Sequence, residues 1–212
     1  DNVQLYPFKG NRFNLLLLNG GGLFQIYDHL ITFLEGLDKE NENLLVTAVK
    51  RDLKVHNFKI GCRALGVINK LVTGPLWRKM VEEKSVISMS EHYQIMFQCF
   101  KKWADNPEDF IAGKESLFAN ILHKDEIFES LIEPNESDLN PLKQQLSIMF
   151  GSFVMISERM LHYHIHGVYK SPSAQLVNEV KNVPTTNAAS ERDFGMLGRL
   201  MKTKPKALDR RI

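Results

Sequence analysis

The chain has 212 residues, of which 43% are hydrophobic and 25% charged. That is enough apolar material to pack a core for one domain or two small ones, and it excludes a disordered tail. With 27 basic and 25 acidic residues the net charge is only +2. No global field therefore draws the chain to nucleic acid, and any phosphate contact has to come from a local patch.

Asp1-Asn2-Val3-Gln4 carries neither a basic n-region nor an apolar h-region, so no secretory signal is read. The longest apolar run, Leu146 to Ile156, is interrupted by Gly151 and Ser152 and falls short of a membrane span. Cys62 and Cys99 lie far apart, without CxxC or Cys/His spacing, and read as reduced thiols filling a core. The expectation is a soluble, intracellular protein.

Tyr6 to Asn14 reads as an extended or turn segment around Pro7 and Gly10. Leu15 to Leu18 is a short apolar run that periodicity leaves open between strand and helix. Gly20-Gly21-Gly22 lacks the GxxxxGK[ST] and GxGxxG patterns of phosphate loops and is read as a bend. From Leu23 to Leu37 a period of 3.6 gives an amphipathic helix with His29 off its stripe. Asp38 to Asn43 is a charged loop, and Leu44 to Phe58 a second helix with a break placed after Asp52. Asp52 sits among Lys50, Arg51 and Lys54 and reads as a solvated charge.

Ile60 to Leu76 is predicted helical until Gly74-Pro75 stops it. Trp77, Arg78 and Lys79 follow the breaker. They admit two readings, a Trp plugging the edge of a core and an aromatic-cationic element that stacks a base and binds phosphate. Ser90 to Ala104 carries Tyr93, Met96, Phe97, Phe100 and Trp103 at helical spacing, which predicts a core-facing stripe. Short helical pieces are expected at Glu108 to Ala112 and Ile121 to Leu131. Glu133 to Pro141, with two prolines and three acids, is expected as a linker.

Leu142 to His166 is the longest periodic segment and is predicted as one buried helix. His162 and His166 share a face of it, but His164 points elsewhere and no HExxH, Cys or carboxylate pair completes a metal shell. Ser173 to Val180 adds a further helical turn or two. In Val183-Pro184-Thr185-Thr186-Asn187-Ala188-Ala189-Ser190-Glu191-Arg192-Asp193-Phe194-Gly195, Pro184 ends one element and Thr186 or Asn187 caps the next. The helix so started aligns Phe194 and Leu197 on one stripe, with Glu191 at the edge of the face expected to be buried. Either Glu191 caps its own helix and pairs with a cation, or it has a chemical role. Beyond it, Arg199, Lys202, Lys204, Lys206, Arg210 and Arg211 form the one local basic concentration, a phosphate-binding patch or a flexible cationic terminus.

Pro-Thr-Thr-Asn-Ala-Ala-Ser-Glu-Arg-Asp-Phe-Gly, residues 184 to 195, resembles the C-terminal block of hAT-family transposases. Gly195 replaces the Ser usual after the Phe. Gly10-Asn11-Arg12-Phe13-Asn14 is similar to the segment by which that family leaves its RNase H-like core for an inserted helical domain. The resemblance is specific over residues 183 to 208, loose at the Arg-Phe segment, and in between rests on helical character and size.

The resemblance implies a mainly α chain, a multi-helix bundle with room for one or two short strands of an incomplete RNase H-like core near the N-terminus. It divides the chain into a leading segment at 1–22, a helical insertion domain at 23–132, a linker at 133–141, and a long helix, acid-bearing helix and basic tail at 142–212. It makes Glu191 the third acid of an Asp-Asp-Glu site, which in a complete family member holds Mg²⁺ or Mn²⁺. Glu191 would be a metal ligand only if the other two acids were supplied, and Asp1, Asp28, Asp38 and Asp52 do not end apolar strands. No cofactor is therefore expected in this chain. The resemblance also assigns DNA contact to Trp77, Arg78, Lys79, Arg192, Arg199, Lys202 and Lys204, self-association to the C-terminal block, and a nuclear location. It implies neither a membrane nor a small-molecule substrate. The competing classes are a helical protein-protein interaction module without nucleic acid and an active metal-dependent transposase.

Overall fold

The computed structural model describes residues 5–7, 12–38, 43–83 and 85–203, without the side chains of residues 12, 13, 188, 189 and 191. Among the described residues the architecture is mainly α, a multi-helix bundle, and no strand occurs. The open reading of Leu15 to Leu18 resolves to helix, inside α1 (Arg12–Gln25). Asn19 ties the leading segment to α1, its side-chain oxygen accepting from the Tyr6 N–H and its amide donating to the Tyr6 carbonyl, both at 2.8 Å.

The glycine triplet is not a bend. It lies within α1, where it lets that helix cross α4 (His56–Ile68) at close range. A Cβ on Gly20 would stand 2.7 Å from the Leu65 Cβ, and one on Gly66 would stand 2.6 Å from the Gly21 Cα. Helix propensity loses here to backbone approach, which only small residues permit. The predicted Leu23 to Leu37 helix is likewise split at Ile26, the last of it forming α2 (Tyr27–Glu35). α3 (Leu44–Leu53) is capped by the Asn43 side chain, which accepts from the Val46 N–H at 3.0 Å, and it ends next to the expected break.

Gly74-Pro75 does not terminate the next helix either. α4 passes into a π-helical segment, Asn69–Thr73, and then directly into α5 (Gly74–Glu82). The wider turn lets the Gly74 N–H reach the Asn69 carbonyl, and it places Pro75 in the first turn of α5, where no N–H is needed. α6 (Met89–Asp105) matches its prediction and buries Met96, Phe97, Phe100 and Trp103. α7 (Glu108–Ile111) ends at Gly113, whose φ of 67° suits glycine, and α8 (Glu126–Ile132) is capped by Asp125.

The expected linker at 133–141 is instead the start of the longest helix, α9 (Glu136–Met160), with Pro141 inside it. Asn135 caps it, and Asp138, one of the acids that made the stretch look solvated, is 3% exposed. At its other end Leu161 breaks the helix, and His162–Ile165 forms a separate turn, α10. One core then spans the boundary drawn at 133–141: Ile60, Val67 and Leu71 pack with Phe100, Trp103, Phe110, Leu131, Leu142 and Phe150. Trp103, Phe110 and Phe150 form its aromatic centre, with centroids 4.6 Å apart for the first pair and 4.9 Å for the edge-on second. A smaller cluster of Tyr27, Leu34, Leu53 and Cys62 lies beside it, with the Tyr27 hydroxyl donating to the Leu53 carbonyl at 2.8 Å. Cys62 and Cys99 are both unpaired. No helix among the described residues is long and apolar enough to cross a membrane.

Candidate functional site

α11 (Ala174–Val180), capped by Ser173, leads to the segment that carries the C-terminal block. That segment is anchored by backbone: the Val86 N–H donates to the Val183 carbonyl at 2.9 Å, and Ser85 Oγ donates to the Val180 carbonyl at 2.8 Å. Thr185 adds a bond from its hydroxyl to the Met80 carbonyl in α5. The block therefore starts on the same helix that bears Trp77, three residues before Met80. α12 (Ala188–Thr203) begins directly after Asn187, where the capping pattern put it.

What differs is burial. The stripe of Phe194 and Leu197 is not covered by the described residues: Phe194 is 72% exposed, and Leu197, Leu200 and Met201 are about half exposed. Phe194, Leu197 and Met201 follow one another along one face. Arg192 and Arg199 fall on the opposite face by helical periodicity and Lys202 on the flank between, and all three are exposed. Met196 lies on the cationic side. Glu191 occupies the first turn, but its side chain lies outside the described residues, as does the whole of Lys204.

The Trp77 element is partly tied into the chain. Trp77 is 45% exposed and borders a groove of about 170 Å³ with Leu15, Leu18, Asn69 and Thr73. It is neither a buried plug nor a free platform. Its two cationic neighbours are engaged within the chain. Arg78 Nε donates to the Ile121 carbonyl at 2.9 Å, and Lys79 pairs with Glu83 at 3.1 Å. His92 Nε2 meets the same carboxylate at 3.0 Å. The Ser88 hydroxyl, with Lys79 and His92, holds the Glu83 carboxyl down at about 2.

A depressed carboxyl pKa stabilises the fold above the unfolded value and loses that stabilisation as pH falls toward the folded one. Glu83 therefore contributes at neutral pH, and its contribution disappears between about pH 4.5 and pH 2. Glu83→Gln is expected to lower the denaturation midpoint at pH 7 and to flatten its decline across that acid window. Urea titrations at stepped pH measure both effects.

Of the histidine trio, His162 and His166 keep adjacent rings, with centroids 5.6 Å apart, while His164 turns elsewhere. His164 Nδ1 lies 2.8 Å from Ser90 Oγ with its ring against Tyr93, and His166 pairs with Glu158 at 2.7 Å. Burial pushes the His164 pKa down. No group of three or more His, Cys, Asp or Glu able to hold a metal occurs among the described residues. Asp28 is paired with Lys59 at 3.0 Å, and Asp52 sits exposed beside Arg51 at 3.3 Å. The described carboxylates thus do not fit a Mg²⁺ or Mn²⁺ pair, and no metal-dependent step is assigned to them.

Sequence reasoning missed one polar centre. Arg63, 2% exposed, donates from Nε to the Leu131 carbonyl at 2.9 Å and from Nη2 to the Glu133 carbonyl, and it faces Asp138 at 3.6 Å. It floors a cleft of about 340 Å³ that Lys59, Asp28 and Gln25 also line. The signal was an arginine on the apolar face of Ile60-Gly61-Cys62-Arg63-Ala64, a position where a charge requires partners. Comparison with family models, curated proteins and solved structures finds no match to this chain.

Proposed function

We propose that the chain is a hAT-like, transposase-derived protein that self-associates through its C-terminal block and binds DNA without cutting it by itself. The observation that carries this reading is the two-sided character of α12. Its apolar stripe of Phe194, Leu197 and Met201 stands in solvent, while Arg192 and Arg199 project from the other side and Lys202 from the flank. A helix of this kind can bury one face on protein and still present the other to phosphates. A nuclear location follows from the DNA half of the reading.

The cationic side is the better candidate for DNA than the α5 element, because Arg78 and Lys79 already have partners in the chain. A mobility shift with duplex DNA is expected to weaken steeply with added salt, since each neutralised phosphate releases counterions. Replacing Arg192, Arg199 and Lys202 together by Ala is expected to reduce the slope of log affinity against log salt by about 2 to 3. Absence of any shift at low salt would remove the DNA half and leave a helical protein-protein interaction module. Trp77→Ala tests the stacking role, which predicts a selective loss on single-stranded ends of about 1–3 kcal/mol per stacked base.

A further inference from the structure

A second exposed apolar stripe occurs on α9. Ile148, Ser152, Met155 and Arg159 run down the side of that helix opposite Leu146, Phe150 and Ser157, which are buried. Ile148 is 70% exposed and Met155 69%, with Ile156 flanking them. Beside Ser152, a Cβ on Gly151 would meet nothing within 4 Å, so this side of the helix is open to close approach.

The stripe has the same spacing as the one on α12. Ile148, Ser152, Met155 and Arg159 repeat at four, three and four residues, and so do Ser190, Phe194, Leu197 and Met201. Two seams of that rhythm interdigitate as knobs into holes. Each also carries one charge, of opposite sign. Arg159 closes the α9 seam, and Asp193 lies beside Phe194 on α12. Among the described residues neither has an ion-pair partner.

Resting on the self-association reading above, we propose that α12 of one copy docks antiparallel on α9 of a second copy, reciprocally, through these two seams. The antiparallel register is fixed by the charges. It sets Arg159 beside Ser190 and Asp193, Met155 against Phe194, the small Ser152 opposite Leu197, and Ile148 against Met201. Sulfur against an aromatic ring and small against large are favourable pairings for such a seam. A pair of α12 helices fits less well. Its seam would hold a carboxylate from each copy while both arginines of α12 faced away and Lys202 lay on the flank opposite Asp193, whereas α9 supplies an arginine within its seam. A two-fold arrangement uses the contact twice, so both copies bury both stripes.

The test uses the full chain in sedimentation velocity across a concentration series. The wild-type protein is expected to dimerise, and Leu197→Asp and Met155→Asp each to leave it monomeric. Arg159→Glu and Asp193→Lys are each expected to weaken the dimer at least about tenfold, because each sets like charges face to face. An equimolar mixture of those two variants is expected to dimerise again. In the mixed dimer one contact joins the two substituted side chains, a carboxylate now on α9 and an ammonium on α12, and the other joins the native Arg159 to the native Asp193. This rescue does not occur if α12 folds back on its own α9. A dimer lost with Leu197→Asp but unaffected by Met155→Asp and Arg159→Glu would overturn the α9 assignment and leave self-association standing. A wild-type protein that stays monomeric throughout would overturn both.

Discussion

Gly66→Val is expected to prevent the chain from folding to its native state at ordinary temperatures, and Gly66→Ala to destabilise it by about 1–3 kcal/mol. The Ala case is the informative one, because alanine is the better helix former by about 1 kcal/mol and on propensity alone would stabilise α4. The geometry reverses the sign. The added Cβ would meet the Gly21 Cα at 2.6 Å, Leu131 Cδ2 at 2.7 Å and the Gly21 nitrogen at 3.0 Å. Leu131 can turn aside, but the backbone of α1 cannot yield without opening the crossing that seats α1 on α4. Gly198→Ala supplies the control, since nothing lies within 4 Å of its added Cβ. There propensity acts unopposed, and a gain of about 0.5–1 kcal/mol is expected. Chemical denaturation of the two alanine variants, read as midpoint at constant slope, distinguishes packing from propensity, and the Gly66→Val chain is expected to show no cooperative transition.

The same crossing shows where the fold is legible in the sequence and where it is not. Elements with a continuous apolar stripe are legible: α6 lies within one residue of its predicted span and buries four of the five side chains named for it. The start of α12 follows from capping chemistry, and the mainly helical architecture from periodicity. The misreadings share a cause. Gly20-Gly21-Gly22, Gly74-Pro75 and Pro141 are helix breakers by local preference, yet each lies in a helix held by tertiary contact or by a local π turn. No window of residues around the triplet contains Gly66, which is what makes glycine necessary there.

Burial is the other blind spot. Phe194 and Leu197 look like core by period, and Asp138 looks like linker by composition, but the first two are exposed and the third is buried. Period reports that a helix has two sides. It does not report whether the second side meets the same chain, another copy or solvent. For α12 that distinction separates a folding element from a binding element, and residues 183 to 203 alone do not contain it.

Arg63→Ala is expected to be the other severe substitution, costing about 3–5 kcal/mol, the range for breaking a buried ion pair from one side. The carbonyls of Leu131 and Glu133 lose their donor at once, and the carboxylate of Asp138, itself 3% exposed, loses its buried cation and keeps only His56 Nε2 at 3.6 Å and the Ser137 hydroxyl at 3.1 Å. Burial pushes the Arg63 pKa down while Asp138 and Glu133 oppose it, and an arginine remains charged under that balance. Its two carbonyl contacts lie at the end of α8 and just before α9, so a single guanidinium fixes the connection between those helices to α4. Removing the charge from both sides tests whether electrostatics or anchoring dominates. Arg63→Met with Asp138→Leu eliminates the carboxylate that has lost its arginine but leaves the two carbonyls without their donor. If the pair matters mainly as charge, the double variant recovers most of the loss. If the guanidinium matters mainly as a brace for the α8–α9 connection, the double variant stays close to Arg63→Ala, and amide exchange is expected to quicken first in residues 133–138. The second outcome is expected, because Arg63 meets its carbonyls within hydrogen-bond distance and Asp138 only at 3.6 Å.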